Sequence, residues 1–452
     1  MAIRSVNPYD NTLIKEYKNH SDVEVQKIIN QSNSEFLSWK NHTYSYRAEI
    51  ILKIAEKLKL ETDIHAKMIS LEMGKPINES KAEVFKCVWV LEFYAHNASE
   101  FLKPESIESD YSKSYIQYDP LGIVFGIMPW NFPYWQVFRF IAPSIMAGNT
   151  CILKHASNVS GCALLIEKLV HSVTRHKNIF RTVLISTSQV EAVIKNKHVK
   201  AISLTGSEFA GSEVAMRAGK EIKKTVLELG GSDCFIVLDD ADINKAAKTA
   251  ITARFLNTGQ SCIAAKRFLV HKDIYDIFIS KIEKYIKKLV IGNPLNTKTD
   301  IGPLAKEKFS EELDVLVKTS ISKGAKCLSG GKKNKAFYEP TLLIDVTESM
   351  DVFKCETFGP VFCVSKISNV EEAISIANNS EYGLGGSIWT NNIELGKNMA
   401  TKIETGAIFI NDMTKSDPRL PFGGVKKSGY GIELSKYGIR EFVNMKTIVI
   451  NE

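Results

Sequence analysis

The chain has 452 residues, 44% of them hydrophobic and 24% charged, which predicts two or three globular domains and excludes a largely disordered chain. Its 58 basic and 51 acidic residues give a net charge of +7. The basic residues are scattered, as on a solvated surface, so we predict no nucleic-acid binding.

Composition also bears on compartment, membrane and metal. The N-terminal residues form no apolar signal segment, and the most apolar stretch, residues 121–148, contains three prolines, which argues against a membrane span. The eight cysteines include no C-x-x-C pair, as expected of reduced thiols in a cytoplasmic protein. The nine histidines are dispersed, and we predict no bound metal.

The first part of the chain is predicted to be helical. Across residues 22–102 apolar side chains recur every three or four positions, with a break at Gly74 before a proline. Residues 111–118 then alternate polar and aromatic side chains, which predicts a strand.

The rest of the chain alternates strand-like and helix-like segments. Between residues 122 and 240, the predicted strands are 123–127, 151–154, 199–204 and 225–229, and the predicted helices are 162–173 and 211–220. This alternation predicts a parallel sheet with crossover helices. A second α/β pattern runs from 234 to about 430, and a β-like tail at 446–450 closes the chain.

One cysteine has a setting unlike the others. Cys262 ends the segment Phe-Leu-Asn-Thr-Gly-Gln-Ser-Cys, between a helix-like run at 242–256 and a strand-like run at 267–270. Small and polar neighbours leave a thiol open to a cleft, where thiolate chemistry is possible. Cys262 is therefore a candidate nucleophile.

Four motifs together resemble those of the aldehyde dehydrogenase superfamily. They are the Cys262 segment, Pro-Trp-Asn-Phe-Pro at 129–133, Leu-Glu-Leu-Gly-Gly at 227–231 and Glu-Thr-Phe-Gly-Pro at 356–360. They follow the family's order over nearly the whole chain. The resemblance implies an α/β fold of three parts: a Rossmann-type dinucleotide-binding domain (1–102 and 120–230), an α/β catalytic domain (231–431) and a small β oligomerisation flap (103–119 and 432–452). A two-stranded flap is poorly stable alone, so a homodimer or homotetramer is implied.

The resemblance implies oxidation of a small-molecule aldehyde through a covalent cysteine adduct. Cys262 would form a thiohemiacetal, and hydride transfer to NAD or NADP would leave a thioester for water to hydrolyse. Glu228, between two leucines, is expected to have a raised pKa and to activate that water. Asn131, between two prolines, would stabilise the oxyanion with its amide. Lys154 is implied in catalysis and also at the adenosine ribose.

The cofactor residues are likewise implied by the resemblance. Residues 205–211 follow a strand and open a helix, and their glycine spacing differs from the usual dinucleotide fingerprint. In the family this turn contacts the pyrophosphate at a helix N-terminus. Glu356 would hold the nicotinamide ribose and Phe358 would pack beside the ring. The implied cofactor contacts are Trp130, Lys154, Ser157, Gly206, Ser207, Gly211, Leu229, Glu356 and Phe358.

Position 157 bears on the choice between NAD and NADP. Strict NAD users commonly place a glutamate at this position, where it binds both ribose hydroxyls. Ser157 removes a negative charge that would repel a 2′-phosphate, so either cofactor is allowed. His155 stands nearby where the family usually has proline.

Arg139 is the indication of substrate class. Semialdehyde enzymes of this family have arginine here, and a guanidinium binds a carboxylate in bidentate fashion. Some relatives have a second arginine at the position that Leu256 occupies in this chain. Ser416 and Arg419 would complete the anion site. The chain most resembles bacterial succinate-semialdehyde dehydrogenases, which implies oxidation of succinate semialdehyde to succinate. Two alternatives stay open: a general aliphatic aldehyde dehydrogenase, and a coenzyme A-acylating enzyme, against which Glu228 weighs.

Overall fold

The computed structural model describes residues 2–451. A hairpin and four helices form the N-terminal region, so the helical periodicity of residues 22–102 is confirmed, whereas the hairpin was not predicted. The elements of the first half are β1 (Ile3–Val6), β2 (Leu13–Tyr17), α1 (Asp22–Trp39), α2 (Tyr44–Leu60), α3 (Thr62–Met73), α4 (Ile77–Phe101), β3 (Glu105–Ser106), β4 (Lys113–Pro120), β5 (Ile123–Met128), α5 (Trp135–Ala147), β6 (Thr150–His155), α6 (Ser160–Val173), β7 (Phe180–Thr182), α7 (Val190–Lys195), β8 (Val199–Thr205), α8 (Glu208–Lys220) and β9 (Lys224–Glu228).

The second half repeats the alternation of strands and helices. Its elements are β10 (Asp233–Val237), α9 (Ile243–Phe255), β11 (Ala265–His271), α10 (Tyr275–Ile286), α11 (Glu307–Ser322), β12 (Lys326–Ser329), β13 (Lys333–Asn334), β14 (Phe337–Tyr338), β15 (Thr341–Ile344), α12 (Asp351–Lys354), β16 (Val361–Ile367), α13 (Val370–Asn378), β17 (Tyr382–Gly383), β18 (Gly385–Trp389), α14 (Ile393–Ala400), β19 (Ala407–Ile410), β20 (Val425–Lys426), β21 (Gly429–Tyr430), α15 (Ser435–Arg440) and β22 (Val443–Ile450).

The first sheet has six strands in the order β21-β9-β8-β5-β6-β7. Strands β5 to β9 are parallel, and β21 pairs antiparallel with β9. The four strands predicted between residues 122 and 240 are confirmed to within one residue at each end. Strand β7 escaped prediction because three residues are too few to show an alternation.

The second sheet has seven strands in the order β12-β15-β16-β11-β10-β18-β19, and only β12 runs antiparallel to its neighbour. An apolar core covers each face of this sheet, and two further cores flank the first sheet. This double coverage explains why the strands are nearly continuous apolar runs. Across residues 2–451, the helices all fall short of the length and hydrophobicity that a bilayer crossing requires.

The two sheets face each other across the loops that carry the predicted motifs. Strands β5, β8 and β9 end at Met128, Thr205 and Glu228, and the loops that follow them lie at the carboxyl edge of the first sheet. The loops that lead into β11 and β16 lie at the starting edge of the second sheet. Ligands of parallel sheets bind at such carboxyl edges, so the fold places the motifs where a cleft is expected.

The flap is a three-stranded sheet of order β22-β4-β3. Strand β22 pairs antiparallel with β4 over its whole length, from Val443 opposite Pro120 to Ile450 opposite Lys113. The strands predicted at 111–118 and 446–450 are therefore confirmed. The first is shifted to Lys113–Pro120, and the second is longer, Val443–Ile450.

Candidate active site

Two cavities, of about 300 Å³ and about 180 Å³, share Cys262 in their linings. We refer to them as the larger and the smaller cavity. The larger cavity is lined by Pro129, Trp130, Asn131, Thr205, Gly206, Ser207, Leu229, Gly230, Phe309, Glu312, Leu313, Leu316, Glu356 and Phe358. The smaller cavity lies between α4, α5 and the segment 413–416. A molecule in either cavity therefore reaches the same thiol.

The loop that presents Cys262 has an unusual backbone. Helix α9 ends at Phe255, and Asn257, Thr258 and Gly259 then have φ angles of 55°, 56° and 75°. Non-glycine residues in this region are uncommon and cluster at functional sites. Tertiary contacts hold the loop, since the Asn257 backbone N–H donates to Glu79 Oε2 at 2.7 Å. A side chain at position 259 would place its Cβ 2.4 Å from the Gly359 carbonyl oxygen, so only glycine fits there.

A buried lysine, Lys266, stabilises this loop. Lys266 Nζ donates to the carbonyl oxygens of Ser261, Cys262 and Ala264 at 2.9, 2.8 and 3.1 Å. It also lies 3.7 Å from Glu356 Oε1. A buried ammonium group needs such partners, so Lys266 fixes the carbonyl groups before and after the Cys262 α-carbon. The backbone N–H of Cys262 is left free to face the cavity.

The thiol of Cys262 is protonated in this state. Burial raises its pKa to about 12. The cations of Arg139 and Lys266 oppose this shift, whereas the carboxyl groups of Glu356 and Glu228 add to it. Because the thiolate is the reactive form, the site needs a proton acceptor for the attack.

Glu228 has the properties of a general base. It is the last residue of β9, it is buried, and neither carboxyl oxygen has a hydrogen-bond partner among residues 2–451. Burial raises its pKa well above the usual range; Arg139 opposes this shift, and the nearby Glu433 adds to it. A buried carboxyl with a raised pKa binds a proton more readily than an exposed one, as a general base must.

Asn131 is anchored on the cysteine loop. Its side-chain Nδ2 donates to the Gln260 carbonyl oxygen at 3.1 Å, and its backbone carbonyl accepts from Asn257 Nδ2 at 2.8 Å. An amide NH₂ carries two protons, so one stays available to a developing oxyanion. The asparagine and the Cys262 loop are thus held as one unit.

The larger cavity has the chemical character of a dinucleotide site. The indole of Trp130 meets the Phe358 ring edge-on at 5.7 Å. Ser207 is the N-cap of α8 and accepts from the Ala210 N–H at 3.3 Å, so the positive end of that helix faces the cavity. A Cβ at Gly230 would lie 2.7 Å from Glu356 Oε2, which explains the glycine beside that carboxylate. Aromatic rings, a carboxylate and a helix N-terminus fit a nicotinamide ring, a ribose and a pyrophosphate.

Gly211 has a different position from the other predicted cofactor residues. It does not line the larger cavity, and a Cβ there would lie 2.6 Å from Leu229 Cδ2. The glycine therefore lets α8 pack closely against Leu229, which itself lines the cavity.

Lys154 and Ser157 lie in a separate cavity of about 340 Å³. It is lined by Ala2, Ile3, Arg4, Asn19, Lys154, Ser157, Ile185, Ser186 and Thr187. No acidic side chain is among these lining residues, and burial lowers the pKa of Lys154. The surroundings of Ser157 thus favour an anionic group.

His155 connects this region to the Asn131 loop. Its Nε2 lies 2.9 Å from the Pro133 carbonyl oxygen, and its Nδ1 lies 3.2 Å from the Met128 carbonyl oxygen and 2.9 Å from the Ala156 nitrogen. Burial lowers the pKa of His155 to about 4, so the ring is neutral. The histidine fixes the end of the Pro-Trp-Asn-Phe-Pro loop by a hydrogen bond that proline cannot make.

Arg139 lines the smaller cavity, but its charge is already paired. Its guanidinium forms a buried salt bridge with Glu433, donates to Thr205 Oγ1 at 3.2 Å and lies 4.9 Å from the Phe422 ring centroid. Ser416 also lines this cavity.

Arg419 does not line the smaller cavity. It is exposed, pairs with Asp417 at 2.7 Å and lies over Trp89.

Comparison with known proteins agrees with this geometry. Residues 1–448 match the aldehyde dehydrogenase family. The chain belongs to this family. It is 45% identical to a succinate-semialdehyde dehydrogenase (NADP(+)) of Mycobacterium avium, over 100% of this chain and 97% of that one. It is also 43% identical to succinate-semialdehyde dehydrogenase (NADP(+)) 1 of Mycobacterium tuberculosis over the full length of both. The crystal structure of succinic semialdehyde dehydrogenase from Streptococcus pyogenes with NADP+ is 36% identical and superposes with a TM-score of 0.97 over 100% of both chains.

The aldehyde dehydrogenase brings most of the predicted site residues to one place. Cys262, Asn131 and six predicted cofactor residues line the larger cavity, while Glu228 is buried directly before its lining residue Leu229. Two lysines of the site were not predicted. Lys266 could have been noticed in the sequence, because it is a cation at the start of an apolar strand. Lys86 gives no such signal, because it is one of several charged residues along a helix.

Proposed function

We propose that this aldehyde dehydrogenase oxidises succinate semialdehyde to succinate with NADP as the hydride acceptor. One observation carries the proposal: Cys262 lines both a cavity of dinucleotide character and a smaller cavity with cationic side chains. The relatives named for succinate semialdehyde and NADP(+) support it, since they match the whole chain.

The first chemical step joins Cys262 to the aldehyde. The Cys262 thiol releases its proton to water, and the sulfur bonds to the carbonyl carbon. The resulting oxyanion is stabilised by Asn131 Nδ2 and the Cys262 backbone N–H. When bound, the nicotinamide nucleotide supplies the hydride acceptor, and its holders would be Trp130, Ser207, Glu356 and Phe358.

The second step releases the acid. Once the carbon is oxidised, Cys262 carries the acyl group as a thioester. Glu228 takes a proton from water, the hydroxide adds to the thioester carbon, and the C–S bond breaks with return of the proton to sulfur. Neither carboxyl oxygen of Glu228 is held by another residue, so the group is free to exchange protons with water.

The cofactor preference follows from the cavity around Ser157. Lys154 provides positive charge there, whereas Arg4 is paired with Glu16 at 3.2 Å, and the lining has no carboxylate to bind both ribose hydroxyls or to repel a 2′-phosphate. We therefore propose NADP as the preferred cofactor, with NAD as a weaker alternative.

The carboxylate end of the substrate would lie in the smaller cavity. Arg139 and Ser416 line it and are proposed to contact the substrate, whereas Arg419 pairs with Asp417 outside the cavity lining. The salt bridge of Arg139 with Glu433 limits how much charge the arginine can offer.

The flap is proposed to join subunits of a homodimer or homotetramer. Within the described chain, β22 pairs only with β4, which leaves its other edge open. Met445 and Val449 on this strand and Tyr111 beside it are largely exposed apolar residues. An open, apolar strand edge is typically covered by another chain.

A panel of two aldehydes and two cofactors tests the proposal. Succinate semialdehyde and butanal have the same carbon chain length and differ at the carboxylate. We expect the highest kcat/KM for succinate semialdehyde with NADP. A preference for butanal would instead indicate a general aldehyde dehydrogenase, and acyl-coenzyme A formation on adding coenzyme A would indicate an acylating enzyme.

A further inference from the structure

Lys86 projects from α4 into the smaller cavity. Its Nζ donates to Ser416 Oγ at 2.7 Å and lies 4.3 Å from the Trp135 ring centroid. Both partners are uncharged. Across residues 2–451, no carboxylate oxygen lies within 4 Å of this ammonium group.

The other cations of this region are compensated. Arg139 forms its buried salt bridge with Glu433. Lys415, which also lines the smaller cavity, pairs with Asp412 at 2.5 Å on the exposed side. A cation already paired with a carboxylate attracts a second one much less strongly. The uncompensated positive charge in the cavity is therefore that of Lys86.

The neighbours of Lys86 complete an anion site, since the two carboxyl groups that also line the cavity have partners of their own: Glu83 pairs with Lys75, and Glu79 accepts from the Asn257 N–H. The hydroxyl of Ser416 accepts from Lys86, which leaves its own proton free to donate to a carboxylate. The rings of Phe132, Trp135 and Phe422 line the same cavity and would pack on a short methylene chain. Cys262 lines the cavity as well, so an aldehyde carbon can reach sulfur while a distal anion stays near the ammonium group.

We infer that Lys86, together with the Ser416 hydroxyl, binds the distal carboxylate of the aldehyde substrate and sets the preference for semialdehydes. The inference rests on the proposed function and adds a residue to it. Arg139 also acts on the Cys262–Glu228 side of the cavity, where its charge opposes the rise in the pKa of both groups.

The charge of Lys86 depends on pH near the physiological range. Burial, followed by the neighbouring Arg139 of α5, lowers its pKa to about 8. Cys87 and Glu83 on its own helix and Asp417 in the adjacent loop act in the opposite direction. The ammonium form is thus complete well below pH 8 and is lost as pH rises through that value.

Substitution of Lys86 by methionine tests the inference. Lys86→Met keeps the length of the side chain and removes the charge. We expect KM for succinate semialdehyde to rise about 10²-fold, which corresponds to about 2.7 kcal/mol, with kcat nearly unchanged. Turnover of butanal should stay within about twofold, and it reports that the site is folded. Lys81→Met is the matched control, because Lys81 lies on the same helix and pairs with Asp63 at the surface.

Lys86→Arg provides an independent readout. The wild-type KM for succinate semialdehyde should rise above pH 8 as Lys86 loses its charge, whereas the KM for butanal should show no rise from this cause. Arginine stays charged, so Lys86→Arg should abolish the alkaline rise. An alkaline rise equal to that of the wild type would overturn the inference, even where Lys86→Met does not fold.

The outcomes separate the inference from the proposed function. If the wild type prefers succinate semialdehyde and Lys86→Met keeps that preference, the inference is wrong and the proposed function stands. If the wild type prefers butanal, the proposed function fails first and Lys86 has no carboxylate to bind.

Discussion

Replacement of Glu228 by glutamine should separate the two halves of the reaction. Glutamine has the same shape but cannot accept a proton. Since neither Glu228 oxygen has a partner, the substitution breaks no hydrogen bond and should leave the free energy of unfolding nearly unchanged. General-base assistance contributes about 10²–10⁴-fold, or roughly 3–5 kcal/mol, so steady turnover should fall by that factor.

Stopped-flow absorbance of the reduced nicotinamide measures this effect. We expect Glu228→Gln to give a burst of about one reduced cofactor per active site, followed by slow turnover, because thioester hydrolysis comes after hydride transfer. The pKa of Glu228 is raised, so its base form increases with pH, and wild-type turnover should increase with it while the variant's should not. Glu49→Gln, at an exposed surface pair, is the control for the substitution itself.

Two results would refute this reasoning. A variant that turns over like the wild type would show that Glu228 is not the base. A burst that falls in parallel with steady turnover would assign Glu228 to deprotonation of Cys262 alone, and water activation to another group.

Three further changes test other parts of the site. Cys262→Ala should abolish turnover and keep dinucleotide affinity within about tenfold, as measured by fluorescence titration, because the thiol is not a major cofactor contact. Ser157→Glu should reduce kcat/KM with NADP about 10²-fold relative to NAD, since two like charges about 6 Å apart repel by roughly 3 kcal/mol at an effective dielectric of about 20; an unchanged ratio would place Ser157 away from the ribose. Lys266→Met should slow alkylation of Cys262 by iodoacetamide about tenfold at fixed pH, because each unit of pKa changes the thiolate fraction tenfold, and equal rates would show that the lysine acts on loop structure alone.

The sequence predicted the helical N-terminal region, the first-sheet strands other than β7 and β21, and the candidate reacting groups. Strands such as Ile123–Met128 and Val199–Thr205 were predicted because apolar periodicity depends on residues that are close along the chain. The roles assigned to Cys262, Glu228 and Asn131 follow from short motifs and remain predictions, although the structure brings the three groups to one cleft.

Tertiary structure alone decided which charges are free. Nothing near Arg139 in the sequence indicates that Glu433 neutralises it, or that Lys86 stands without a carboxylate beside Ser416. The left-handed backbone at Asn257 likewise depends on Glu79 from a distant helix. Charge compensation and loop strain arise from contacts between segments far apart along the chain, so they become readable only when the packing of those segments is known.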